Sequence, residues 1–361
     1  MERRLALYAY ANDWEKNDLI CELMNLLWTE EEQGAKFPVF REFELFLNNT
    51  PDKRGHFVHQ FEVYLLGLNL LICLVKSNED AKKFGLTNKE DVYKTWLMTA
   101  TVHDFGYPIE RASKIVTQLA LLYKNLDMVS LSKNYTSITD EISKNNAELG
   151  ELVLTKRPLY KINIDEIILK LIQETLSLEE AYAIPLFKEF KKKNTHGYVS
   201  AIILFRTMFK ALWKDKSLVD VEKLSIYKMV STAMGSIAVH DLRNDQENYI
   251  RSIDFSVNPF AYLLFIIDNI QDWSRTNTPT EDWPVYNLLN FSIEGNNIKI
   301  EHVLSHTAWT DKIRKNVAQS LENKKRLLSL PVPPSPPFDC NVKLLFFGND
   351  DSMFDPIIIP I

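Results

Sequence analysis

From the N-terminus to about residue 275, apolar residues recur at intervals of three and four, the spacing that lines one face of an α-helix. "LICELMNLLW" (19–28) reads as an amphipathic helix and "HFVHQFEVYLLGLNLLICLV" (56–75) as a stronger one, with Val63, Leu66, Leu70 and Cys73 along one face. "EDVYKTWLMTATVHD" (90–104) continues the pattern and puts Trp96, Ala100 and His103 or Asp104 on a common face. At least two more helices are predicted between 110 and 190, including "DEIILKLIQETLSLEEAYAI"; the polar "NYTSITDEISKNNAE" reads as a loop and a helix start. "KKKNTHGYVSAIILFRTMFKALW" predicts a helix with Asn194 or Thr195 as its N-cap. "IYKMVSTAMGSIAVHDL" predicts the next, and "NPFAYLLFIIDNIQDWSR" a third, with Asn258 as N-cap and Pro259 at its first position.

Past residue 275 the pattern changes. "TNTPTEDWP" is a turn-rich connector, and "NFSIEGNNIKIEHVL" reads as two short strands around a Gly-Asn-Asn turn. One helix follows at about 307–329. "LPVPPSPPFDC" is a proline-rich spacer that helix interior excludes, and "NVKLLFFGND" reads as a strand. The expected fold is mostly α, with a small α+β C-terminal appendage. The expected division is an N-terminal helical segment (1–48), a helical domain (49–278) with an insertion around 110–190, and the appendage (279–361).

Composition narrows the function classes. The chain has 361 residues, 46% apolar and 25% charged, the balance of a soluble globular protein. A net charge of −6 argues against coating nucleic acid through the overall field, so an anionic substrate would need local positive charge. The three cysteines, Cys21, Cys73 and Cys340, are far apart, which disfavours a disulfide framework and fits a reducing, cytoplasmic setting. The opening "MERRLALYAYANDWEKND" lacks a signal-peptide apolar region, and the longest apolar run, "YLLGLNLLICLV", is short of a membrane span. Among ten glycines there is no GxxxxGK[ST], GxGxxG or GxSxG, which lowers the case for a P-loop, a dinucleotide fold or a serine hydrolase.

The histidines carry the chemistry. Of seven, His59, His103, His196 and His240 lie at the ends or starts of apolar helical runs, and His103 and His240 are each followed by aspartate, Asp104 and Asp241. Asp268 sits inside "LLFIIDNIQDW", apolar enough that its carboxylate should be buried. A buried carboxylate without a partner costs several kcal/mol or takes up a proton. One buried histidine is ordinarily a hydrogen-bonded core residue. Five such residues together are explained at once by a metal centre in a helical bundle, where imidazole and carboxylate suit Mn, Fe, Zn, Ni or Co.

The order H…HD…H…H…D, over residues 50–275, resembles the HD-domain superfamily of metal-dependent phosphohydrolases. The resemblance implies an HD-domain-like helical bundle, with His59 as first ligand, His103-Asp104 in "HDFGYP" as the doublet, His196 and His240 as the two further histidines and Asp268 as the final aspartate. It implies two divalent transition-metal ions bridged by Asp104, one held with His59, His103 and Asp268 and the other with His196 and His240. A water or hydroxide between them would attack phosphorus in line. Many relatives carry lysine where Tyr107 stands; Tyr107, Arg111, Lys114 and Arg275 are the candidate substrate contacts.

His56, one turn before His59, is a candidate leaving-group acid or partner of a ligand; Asp241 and Asp272 are further partner candidates. His302 and His306, at i and i+4, suggest a solvated pair or a metal site on a helix. The basic "KEFKKKN" (188–194) reads as a solvated helix end, or as an attractant for phosphates if it borders a pocket. The expected activity is hydrolysis of a phosphomonoester or phosphodiester, with a nucleotide-type substrate implied by the resemblance. The rival readings are an HD nuclease on nucleic acid, a di-iron oxygenase with the same ligands, and a nucleotide-sensing module without turnover. No membrane partner is expected, and self-association is left open.

Overall fold

Helical spacing up to residue 275 becomes ten described helices, and the changed pattern beyond it becomes a four-stranded sheet with an eleventh helix. The computed structural model describes residues 13–28, 56–110, 163–214, 220–242, 246–271, 284–294, 297–331, 338, 340–350 and 352–360. The helices are α1 (Asp13–Leu27), α2 (His56–Leu74), α3 (Asn78–Lys82), α4 (Lys89–Val102), α5 (Ile164–Thr175), α6 (Glu180–Lys193), α7 (His196–Lys214), α8 (Asp220–Val239), α9 (Glu247–Ile250) and α10 (Pro259–Gln271). The appendage follows as β1 (Val285–Glu294), β2 (Asn297–Ser305), α11 (Asp311–Leu328), β3 (Asn341–Gly348) and β4 (Ile357–Pro360).

The centre of the bundle is α4, packed against α2, α7, α8 and α10. It starts at Asn88, whose side chain accepts from the Asp91 amide at 2.9 Å, with Glu90 and Asp91 favouring the positive end of the helix dipole. Three threonines are buried in its interior. Their hydroxyls donate to carbonyls four residues back, Thr95 to Asp91 at 2.7 Å, Thr99 to Thr95 at 2.8 Å and Thr101 to Leu97 at 2.6 Å, so none costs an unmet polar group. Trp96 is fully buried and donates to the Tyr64 carbonyl of α2 at 3.0 Å.

Helix α10 is apolar all round and buried almost throughout. Asn258 caps it, accepting from Phe260 N at 3.2 Å and Ala261 N at 3.1 Å. Helix α2 is apolar and long enough over Phe57–Leu74 to cross a membrane, but 61% of that window is buried inside the protein.

Of the two N-cap candidates for α7, Thr195 holds the position, since α7 begins at His196 and Val199 N donates to the Thr195 carbonyl at 3.1 Å, whereas Asn194 closes α6 in the left-handed conformation, with φ 47°. Asparagine serves both ends because its short amide tolerates positive φ. His302 and His306 share no helix. Strand β2 alternates inward and outward, so Ile298, Ile300, His302 and Leu304 face the core. The His302 ring stacks on Phe346 of β3 at 5.2 Å, while His306 lies after the strand with its Nδ1 2.8 Å from the Ala308 carbonyl.

The sheet order is β1-β2-β3-β4, with β2 parallel to β3 and the other pairs antiparallel. A parallel pair needs a crossover, and α11 supplies it, burying Ile313, Val317, Leu321 and Leu328. The appendage touches the bundle at α10: α11 packs on it, and Tyr262 Oη donates to the Pro360 carbonyl at 3.1 Å.

Candidate metal centre

Five structural elements around α4 each bring one or two polar groups to a common point. His59 comes from the second turn of α2, His103 and Asp104 from the turn closing α4, His196 from the first residue of α7, His240 from just past α8, and Asp268 from α10. The convergence needs two glycines. A Cβ on Gly106 would overlap the His196 carbonyl, and one on Gly197 would lie 2.6 Å from the Ile237 carbonyl and 3.0 Å from His240 Nδ1. The close approach is held by Gly106 N donating to Ser200 Oγ at 2.7 Å.

The two oxygens of Asp104 face different histidines. Oδ1 lies 3.3 Å from His196 Nε2 and 3.6 Å from His240 Nε2. Oδ2 lies 3.6 Å from His103 Nε2. On that second side His59 Nε2 hydrogen-bonds Asp268 Oδ1 at 2.6 Å, and the same oxygen lies 3.7 Å from His103 Nε2. The backbone of Asp104 is fixed as well. With its amide oxygen turned toward the α4 end, buried Gln60 accepts from Asp104 N at 3.2 Å and Phe105 N at 3.3 Å.

The rings are oriented through their outer nitrogens. His103 Nδ1 bonds the Ala100 carbonyl at 2.7 Å and His240 Nδ1 the Ile237 carbonyl at 2.6 Å. A carbonyl only accepts, so both Nδ1 atoms carry protons and both neutral rings offer the Nε2 lone pair inward. Those Nε2 atoms are buried and make no hydrogen bond among the described residues. Two buried lone pairs aimed at a shared carboxylate fit a cation. The donor atoms of His59, His103 and Asp104 lie within 4.8 Å of one another, as do those of Asp104, His196 and His240.

Electrostatics point the same way. Burial opposes charge on His103, yet Asp104 and Asp268 outweigh it and raise its pKa. His196 is raised likewise against burial by Asp241, Glu110 and Asp104. Burial also opposes charge on Asp268, but the His103 and His59 imidazoles hold its carboxyl well below the usual range. The cluster thus draws positive charge toward itself. Among the described residues, the His196 and Asp268 side chains are 16% and 19% exposed while Asp104 is 3% exposed.

The structure therefore brings together His59, His103, Asp104, His196, His240 and Asp268. Half-buried Tyr107 sets its ring 6.2 Å from His196, edge to face. Asp241 Oδ2 lies 3.4 Å from His196 Nδ1. Arg111, Lys114, Asp272 and Arg275 lie outside the described residues, as does the side chain of His56. Sequence reasoning missed Glu110, buried and 2.8 Å from His196 Nδ1, and Gln60. The signal for Glu110 was a carboxylate one helical turn past Gly106; nothing in the pattern set Gln60 apart. The basic run ends α6, where Lys191 pairs with Asp165 and Lys193 with Glu189. Comparison with protein-family models, curated proteins and solved structures found no match.

Proposed function

We propose that the protein is an HD-type phosphohydrolase with two divalent transition-metal ions bridged by Asp104. The observation that carries this reading is the division of one carboxylate between two ligand groups: Oδ2 toward His103, with His59 and Asp268 beyond it, and Oδ1 toward His196 and His240. The order of these residues along the chain is that of the HD-domain ligand set. Ions bound there would polarise a phosphoryl oxygen and make a bound water acidic enough to serve as nucleophile near neutral pH.

The chain's own contribution is to hold the ligands dry and preoriented. His103 and His240 are locked by backbone carbonyls and the Asp104 backbone by Gln60, and the Asp104 side chain is 3% exposed. Substrate would approach past the partly exposed His196, beside which Tyr107 offers an aromatic ring to a nucleotide base or aryl ester. Pairing of Lys191 and Lys193 with acidic neighbours favours a small phosphate ester over a nucleic-acid strand.

The test is hydrolysis of p-nitrophenyl phosphate, bis(p-nitrophenyl) phosphate and a nucleotide panel by metal-loaded protein and Asp104→Ala. Turnover that is lost on chelation and in the variant is expected. Oxygen consumption by iron-loaded protein without phosphate release would replace the reading with an oxygenase. Nucleotide binding without turnover at a loaded site would replace it with a sensor.

A further inference from the structure

Three histidines of the centre meet Asp104, but they are oriented in two different ways. His103 and His240 follow the last turn of a helix, and each ring is tethered to the carbonyl three residues upstream. His196 is the first residue of α7, so its own helix has no carbonyl there to offer. In its place stands Glu110. Glu110 Oε2 accepts from the His196 backbone N at 3.0 Å and from the His196 ring at Nδ1, 2.8 Å. Asp241 Oδ2 lies 3.4 Å from the same ring nitrogen. Glu110 is 4% exposed, so its charge is compensated by donors rather than by water.

The hydrogen bond puts the proton on Nδ1 and leaves the Nε2 lone pair toward Asp104 Oδ1, 3.3 Å away. The placement comes from the same close approach that builds the centre. Residues 107–110 form a helical turn, Glu110 N donates to the Gly106 carbonyl at 3.1 Å, and Gly106 rests on α7 through Ser200.

We infer that Glu110, with Asp241 beside it, is the positioning residue that makes His196 a ligand of the second ion. The inference rests on the two-ion reading above. A carboxylate behind a metal-bound imidazole fixes the ring's tautomer and orientation and raises its basicity, and removal of such a partner typically weakens metal binding about 10–100-fold. The donor atoms of Glu110, His196 and Asp241 also lie within 4.8 Å of one another, which raises the alternative of a third cation. That ion would have to take His196 through Nδ1 and strip the proton that Glu110 holds. The ring would then serve two metals as an imidazolate. The geometry favours the clamp.

The experiment titrates metal-free protein with Mn²⁺ or Zn²⁺ in calibrated metal buffers, counts bound ions by elemental analysis, and compares wild type with Glu110→Ala and Glu110→Gln. In parallel, ¹⁵N-histidine NMR of the metal-free proteins follows the His196 ring proton, assigned with His196→Gln. Wild type is expected to bind two ions and to show a downfield, hydrogen-bonded Nδ1 proton. Glu110→Ala should keep the first ion at unchanged affinity, weaken the second about 10–100-fold and lose the downfield proton. Glu110→Gln keeps an acceptor oxygen and should restore part of both, and it carries the test if the alanine variant does not fold. Equal weakening of both ions, or of neither, would overturn the inference. Three ions in wild type and two in Glu110→Ala would assign the group to a third cation instead. No ion in wild type would refute the two-ion reading itself, a result distinct from either.

Discussion

Replacing Gly106 with alanine should destabilise the protein by about 2–4 kcal/mol and weaken the second ion selectively. The added Cβ would overlap the His196 carbonyl and lie 2.7 Å from Val199 Cβ and 2.9 Å from Ser200 N. Two of these three atoms belong to the backbone of α7, so no rotamer change relieves the overlap. The turn and the helix must move apart instead. Overpacking of this kind typically costs about 1–3 kcal/mol. Movement also breaks the 2.7 Å bond from Gly106 N to Ser200 Oγ, a further ~1 kcal/mol. With a urea m-value of about 3 kcal/mol/M, the unfolding midpoint should fall by roughly 1 M. The same displacement opens the 3.3 Å approach of His196 Nε2 to Asp104 while sparing His59, His103 and Asp268, which lie on the other side of the carboxylate. Urea denaturation of metal-free protein and ion counting together check this. A midpoint within about 0.2 M of wild type, with both ions retained at full affinity, would refute the claim that close packing of Gly106 on α7 assembles the site.

Further outcomes follow from other parts of the structure. Burial pushes the His302 pKa down to about 4 from an unfolded value near 6.5, so the unfolded chain takes up the proton first and acid favours unfolding. Stability should be intact above pH 6.5 and lose about 3 kcal/mol as pH falls to 4; acid denaturation of His302→Phe should lack that component. Asn258→Ala removes the acceptor for Phe260 N and Ala261 N and should cost about 0.5–2 kcal/mol by chemical denaturation, toward the upper end because the site is buried. Adding Mn²⁺ or Zn²⁺ at about 100 times its Kd should stabilise wild type by about 2.7 kcal/mol, seen as a Tm rise of roughly 4 °C that is absent in Asp104→Ala.

The helical body was legible because its apolar spacing is regular and a boundary such as Asn258-Pro259 carries a recognisable cap. The six clustered residues were legible because histidine and aspartate stand out against apolar runs. The sequence leaves Asn194 and Thr195 as alternative caps because asparagine favours both helix ends, and only the backbone angle separates the two uses. The pairing of His302 with His306 fails because i, i+4 spacing means a shared face only on a helix, whereas "NNIKIEHVL", read as a strand from its alternation, turns His302 into the core. Strand β4, in "IIIP", gave no alternation long enough to read, and its pairing with β3 is long-range. Glu110 and Gln60 escaped because their meaning lies in contacts across the fold: Glu110 meets His196 86 residues away, and no spacing rule reaches that far.

The most direct test of the account is metal content, measured by elemental analysis on the protein as purified and on Asp104→Ala before any metal is added. About two equivalents of transition metal in wild type, lost in the variant, is the predicted result. No bound metal in either protein, with equal folded stability, would contradict it and leave His103 and Asp104 as a structural doublet in the core of a helical bundle.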